Sequence, residues 1–340
     1  MKKSIALSAL AAIWALAALT CCNRHDGAAD TLQRAELLLP IRHDSAAVHL
    51  DSIAHPARLP EDSRALYGLL RTIVQNRQGK GIKSDSLIRG SYEYYRDASR
   101  AGQTSDEALL RRYAQSCYYM ALFYKACDSI KQCEELFNQA AKYSERCEDW
   151  HTCYLAHTLL GDVIRWGNKE NAIQQTMKAL NLYYKVNNDV NNEIIILAKI
   201  AGMYLTCDKP DSALKYYEKG YELAKLNYLK KAQNEMCMGL ASTFRYMGQY
   251  ERALDYARRA FVTVDGKMLE SSLITLAACY VACDSLEVSK GILRTIPCSS
   301  DYTTRYVILR ELSEIAIKQR NFDSIFIYVD SAYECLEARF

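Results

Sequence analysis

The stretch "LASTFRYMGQYERALDYARRA", Leu240 to Ala260, decides the fold. Leu240, Ala241 and Phe244 share one face of a first helix. After a short turn, Ala253 and Ala260 stand seven apart on one face of a second. A small residue between large apolar ones marks a place where a neighbouring helix must come close.

The small site of this stretch recurs along the chain at Ala121, Gly161, Ala201, Ala241, Ala277 and Ser313, at separations of 40, 40, 40, 36 and 36 residues. A large apolar residue precedes each one: Met120, Leu160, Ile200, Leu240, Leu276 and Leu312. Tyr124, Ile164, Tyr204, Phe244, Tyr280 and Ala316 follow three positions later. The second helices carry their own corresponding residues, as Ala213, Tyr217 and Gly220, as Cys133, Phe137 and Ala140, and as Ala172, Thr176 and Ala179. A pair of antiparallel helices built this way cannot bury its apolar faces alone, so the pairs stack into a solenoid.

The whole composition agrees. In 340 residues there are five prolines and 25 tyrosines, half the chain is hydrophobic, and the long segments between turns are rich in Ala, Leu, Glu and Lys. The first residues are different. Lys2 and Lys3 precede the apolar run "IALSALAAIWALAAL" and then "TCC", which reads as a secretory signal, residues 1–21. An uncleaved anchor helix is the alternative. Without residues 1–21 the chain keeps 41 basic and 40 acidic residues, because only two lysines and no acids are lost. A surface this close to neutral offers no general attraction for nucleic acid. "NRHDGAAD", Asn23 to Asp30, is small and polar and reads, with Cys22, as a tether over 22–30.

These residues carry resemblances. The end of the signal resembles a bacterial lipobox, which implies a lipid on Cys22, with Leu19 three positions before it, or alternatively on Cys21. Leu240 to Ala260 resembles a tetratricopeptide repeat: its Leu, small, aromatic, Gly, Tyr, Ala and Ala stand at that family's positions, although the period here is longer than usual. Upstream, "DSAAVHLDSI" and "LPEDSRALYGLL" resemble the opening of a group of bacterial tetratricopeptide lipoproteins. The resemblance implies an all-α, right-handed superhelical solenoid of antiparallel helix pairs. Two degenerate pairs occupy 31–98 and six repeats 99–340, the last two being looser because Ser289 and Ile325 replace the expected Ala. It implies a scaffold held in the cell envelope by its N-terminal lipid, with the outer membrane favoured by Asn23 after Cys22, and a protein or peptide as partner. Some similar proteins continue into a membrane helix and a helix-turn-helix, which leaves a truncated regulator as one alternative. A glycan-binding helical lipoprotein is another, although units of 36 or 40 residues leave no room for the loop insertions such a site needs.

The cysteines invite another reading. "YKACD", "YLTCD" and "YVACD" place Cys127, Cys207 and Cys283 at one repeat position, too far apart to pair. They read as punctuation: a small buried side chain closes the first helix, and Asp128, Asp208 and Asp284 begin the turn. Eleven cysteines beyond Cys21 and Cys22, an odd number without framework spacing, argue against a disulfide scaffold. Cys147, His151, Cys153 and His157 are a denser set, but on a helix they fall in two pairs on different faces, so no metal is expected. The loop "RQGKGIKSD" lacks the spacing and preceding strand of a phosphate loop. No catalytic arrangement and no cofactor site stands out from the repeat pattern.

Binding is expected on the concave side lined by first helices. Lys125, Arg165 and Arg245 stand one turn past the small sites, with Trp166 and Tyr246 following the two arginines; Tyr118, Asp162, Met238, Arg310 and Glu314 occupy neighbouring groove positions. Guanidinium groups there suit the carboxylates or carbonyls of an extended peptide, and the rings suit its apolar side chains. Both arginines are expected to be exposed.

Overall fold

The computed structural model describes residues 27–100, 102–165, 167–186, 189–261, 266–297 and 302–337. Cys21, Cys22 and Trp166 lie outside them. Among the described residues every long element is an α-helix and there is no strand. The chain divides into two compact units, Met1–Ile164 and Arg165–Phe340.

In the first unit α1 (27–38) and α2 (His43–Asp51) are followed by a 3-10 turn at Pro56–Arg58. Then come α3 (Glu61–Arg77), α4 (Ser86–Ala98), α5 (Glu107–Ala126), α6 (Ile130–Arg146) and α7 (Trp150–Ile164). Residues 27–30, expected in the tether, are already helical. The α3–α4 crossing is close because Gly68 has no side chain. A Cβ there would lie 2.6 Å from Ser91 Oγ and 2.8 Å from the Leu87 carbonyl. Ser91 uses that proximity to donate to the Ala65 carbonyl at 2.8 Å. Helix α1 is tied to α5 across 76 residues of sequence: the Arg112 guanidinium donates to both carboxylate oxygens of Glu36, at 2.9 and 2.7 Å. A half-buried, two-pronged pair of this kind holds its partners in one geometry better than a single surface contact does.

The second unit holds α8 (Lys169–Val186), α9 (Val190–Thr206), α10 (Pro210–Leu226), α11 (Lys230–Tyr246), α12 (Tyr250–Phe261), α13 (Gly266–Ala282), α14 (Leu286–Arg294), α15 (Tyr302–Lys318) and α16 (Phe322–Glu337). Each helix packs on the next, and the first helices α9, α11, α13 and α15 also touch in succession. One cluster joins Leu240, Ala241 and Phe244 of α11, Ala253 and Ala257 of α12, and Leu276 and Cys279 of α13. The opening stretch thus supplies most of a core layer.

The repeat register has a physical basis across both units. Ala121, Gly161, Ala201, Ala241 and Ala277 are all buried, as are the small positions Cys133, Ala140, Ala172, Ala179, Ala213, Gly220, Ala253 and Ala260. The last repeat is looser, with Ser313 and Ile325 only half-buried. Ser289, in the place of an Ala, is fully buried and donates to the Ala277 carbonyl at 2.9 Å, which satisfies its hydroxyl.

The Tyr-x-x-Cys-Asp motif is a helix stop. Asp128, Asp208 and Asp284 adopt left-handed φ of 52°, 58° and 58°, a region Asp tolerates better than most side chains. The next residue's N–H returns to the motif tyrosine's carbonyl: Ser129 to Tyr124 at 2.9 Å, Lys209 to Tyr204 at 3.0 Å and Ser285 to Tyr280 at 2.9 Å. The Asp N–H reaches the carbonyl three residues back, so the pattern is a Schellman closure. Gly248 and Arg320 make the same turn in their repeats. One expectation is corrected: Cys127 is exposed and Cys207 and Cys283 are half-buried, because the residue after the last helical turn lies at the end of the helix, where the core no longer encloses it.

Candidate functional site

The ten groove positions do not all face a groove. In the first unit Tyr118 is buried, 6% exposed, its ring edge-on to Tyr119 with centroids 5.0 Å apart and tilted against Phe137 of α6 at 5.7 Å. It belongs to the core, because at that point α5 is covered on nearly every side: Ser116 to Ala121 are all buried. Lys125 and Asp162 are half-buried. The same unit has a shallow recess of about 170 Å³ between α4, α5 and α6, with Arg89, Tyr92, Tyr124 and Glu135 on its walls. Arg89 already donates to Asp85 at 2.7 Å, and Tyr92 stacks on Tyr113 at 6.0 Å.

Arg165 is exposed, as expected, but it stands in the turn after α7 rather than on the helix. Arg245 remains on α11 and is half-buried, which corrects the expectation that both arginines are open to solvent. Tyr246 beside it is 54% exposed. Met238, one face earlier, is half-buried, with its sulfur 3.4 Å from the Ser272 hydroxyl of α13. Arg310 is exposed and Glu314 half-buried on α15.

The successive first helices α11, α13 and α15 pack side by side, which brings charges of different repeats into one neighbourhood. Cys279 of α13 is buried, and burial pushes its thiol up to about 11; the positive charge of Arg245 on α11 opposes that rise, and the negative charge of Glu311 on α15 adds to it. Glu311 is 1% exposed. Arg310 covers it and donates to Glu311 Oε1 at 2.5 Å, while Oε2 is buried with no hydrogen-bond partner. Leaving that lone pair unmet away from water is costly.

Glu311 is the residue that the sequence did not flag. It stands two before the small site Ser313, where other repeats carry Tyr119, Leu159, Lys199, Gly239 and Thr275. No fixed chemistry marks that position, so one acid there raised no signal.

The four residues weighed as a metal set separate. The Cys147 thiol lies 3.7 Å from the Ser144 carbonyl, and Cys153 reaches the Ala141 carbonyl at 3.6 Å from within α7. His151 sits edge-on to Tyr154 at 5.2 Å. No group of three or more His, Cys, Asp or Glu among the described residues could hold a metal ion. In "RQGKGIKSD", Gly79 and Gly81 take left-handed φ of 72° and 64° and the chain turns into α4.

Solved structures place the architecture. The apo form of RapI is similar over 91% of this chain and 97% of its own, with a TM-score of 0.66 and 12% identity. The apo quorum sensor NprR from B. thuringiensis covers 90% of this chain and 86% of its own at a TM-score of 0.64 and 13% identity. A signal-transduction ATPase with a tetratricopeptide repeat sensor, from Pyrococcus horikoshii, covers 80% of this chain and 42% of its own, with a TM-score of 0.56 and 17% identity. The fold is a tetratricopeptide-like helical solenoid. At these identities the likeness is one of fold. No protein-family model matches the chain, and no curated protein sequence matches it.

Proposed function

We propose that the chain is a lipid-anchored scaffold of the cell envelope whose second unit holds an extended peptide across the first helices α11, α13 and α15. The observation that carries this reading is the buried Glu311 carboxylate with an unmet oxygen, under Arg310 and in electrostatic reach of the same thiol as Arg245. A peptide N–H, amine or guanidinium reaches the free oxygen once the exposed Arg310 side chain is displaced from it, and Arg245 takes a carboxylate or carbonyl further along the same strand of peptide. Met238 and Tyr246 offer apolar surface beside it. Two structures of similar fold support a peptide as the partner: a Rap protein complexed with Competence and Sporulation Factor, and NprR in complex with its cognate peptide NprX. The lipid belongs on Cys22, with Cys21 as the alternative, and the N-terminal sequence supports export to the outer membrane.

Crosslinking in envelope extracts, followed by titration of the captured peptide, tests the reading. Arg245→Ala and Glu311→Gln should each weaken binding by about 1 to 3 kcal/mol, as for charge-assisted contacts. Normal affinity in both variants would remove the assignment. Mass spectrometry of the mature N-terminus, on wild type and Cys22→Ala, reports the lipid separately.

A further inference from the structure

The last described helix exposes an apolar stripe. Phe322, Phe326, Val329 and Tyr333 recur at intervals of four, three and four, so they share one face of α16, and they are 69%, 76%, 52% and 61% exposed. Residues scattered singly would need no account, but a continuous stripe does.

The repeat itself says what shape covers such a stripe. Aligning the turns before the second helices, Gln249 with Asn321, places Phe326 opposite Leu254 and Val329 opposite Ala257. In α12 those two residues belong to the cluster with Leu276 and Cys279 of the following helix, α13. In α10 the equivalents Leu214, Tyr217 and Tyr221 pack against the cluster that contains Leu240 and Phe244 of α11. At both places the cover is a helix.

Charge selects the chemistry of that cover. Asp323, Asp330, Glu334 and Glu337 run along the flank of the α16 stripe, and Phe322–Glu337 contains no lysine or arginine. An anionic membrane surface is repelled by such a flank. A second copy laid antiparallel on the stripe brings acids against acids. We infer that the exposed face of α16 is a docking site for an amphipathic helix of a partner protein, apolar on one face and lined with lysine or arginine along its edge. This surface is separate from the peptide site of the first helices, so either can fail without the other.

Two stapled helical peptides of the same leucine-rich face, one flanked by lysines and one by glutamates, are titrated against the intact chain by fluorescence anisotropy. The lysine peptide should bind at least about tenfold more tightly. Asp330→Lys with Glu334→Lys should invert that preference, and Phe326→Asp should abolish binding of both peptides while thermal melting stays cooperative. Equal binding of the two peptides, or binding of neither, overturns the proposal. So does a dimer in sedimentation experiments that Phe326→Asp dissociates, since a second copy would then cover the stripe.

Discussion

Gly239→Ala sets two opposed effects against each other on α11. Alanine is the better helix former by about 1 kcal/mol, so propensity alone raises stability. The structure opposes it. A Cβ on Gly239 would lie 2.2 Å from Cε1 and 2.5 Å from both Cδ1 and Cζ of Tyr217, whose ring reaches the glycine from α10. The ring cannot slide freely, because it also packs against the cluster of Leu240 and Phe244 and against that of Ile194 and Met236. Displacing a packed ring costs about 1 to 3 kcal/mol of overpacking, with more for a contact well under 3 Å. The net expectation is a loss of about 1 to 2 kcal/mol, which for a unit of this size lowers Tm by roughly 2 to 8 °C. Gly90 and Gly291 supply the control, since a Cβ there meets nothing within 4 Å. Alanine at those two sites should raise stability by up to about 1 kcal/mol. Calorimetry or circular-dichroism melts of the three variants, plus Gly239→Ala with Tyr217→Leu, separate the effects, and the double variant should recover much of the loss. If Gly239→Ala melts at or above wild type, propensity has won and the Tyr217 ring does not lie on α11 as described.

At the helix stops, Asp208→Val should cost about 1 to 2 kcal/mol, because a β-branched side chain resists the left-handed φ of 58° there, whereas Asp208→Gly should be neutral or stabilising in the same melts. His151 is held below its ordinary pKa, first by burial and then by the positive charge of Arg77, with Asp149 opposing. The unfolded chain therefore takes up a proton near pH 6.5 that the folded one refuses, so stability should fall as pH drops from about 7 to 5, and His151→Phe should flatten that slope in urea titrations. Alkylation with mass-spectrometric readout should label exposed Cys127 early, and Cys133, Cys237 and Cys279 only on unfolding, since burial lifts each of those three thiols to about 11. Early modification of Cys279 would contradict the packed α11–α13–α15 contact.

The helix pairs were legible because their cause is local and repeated. Ala201, Ala241 and Ala277 are small for the same steric reason, so the reason shows as a period. The turn motif was legible as punctuation but not as a left-handed closure, since that depends on how the Tyr124, Tyr204 and Tyr280 carbonyls are met. Tyr118 was misplaced because register gives a direction from the helix axis and not the depth of what lies there; the Phe137 and Tyr119 rings fill that space. Glu311 escaped for a different reason. Its significance comes from two other helices, since its charge and that of Arg245 on α11 both act on Cys279 of α13. Neither is marked by its position in a single repeat.

The early start of α1 shortens the leash. With residue 27 already helical, at most five residue steps separate Cys22 from the folded body, and a fully extended chain spans about 18 Å over that length. A lipid at Cys22 would therefore hold the first unit against the bilayer rather than let it roam the envelope. Tension on that leash would enter at α1 and pass sideways into α5 through the Glu36–Arg112 pair. A pull from the membrane would thus be shared by two helices from the outset, loading the repeat across its stack instead of peeling away the first pair.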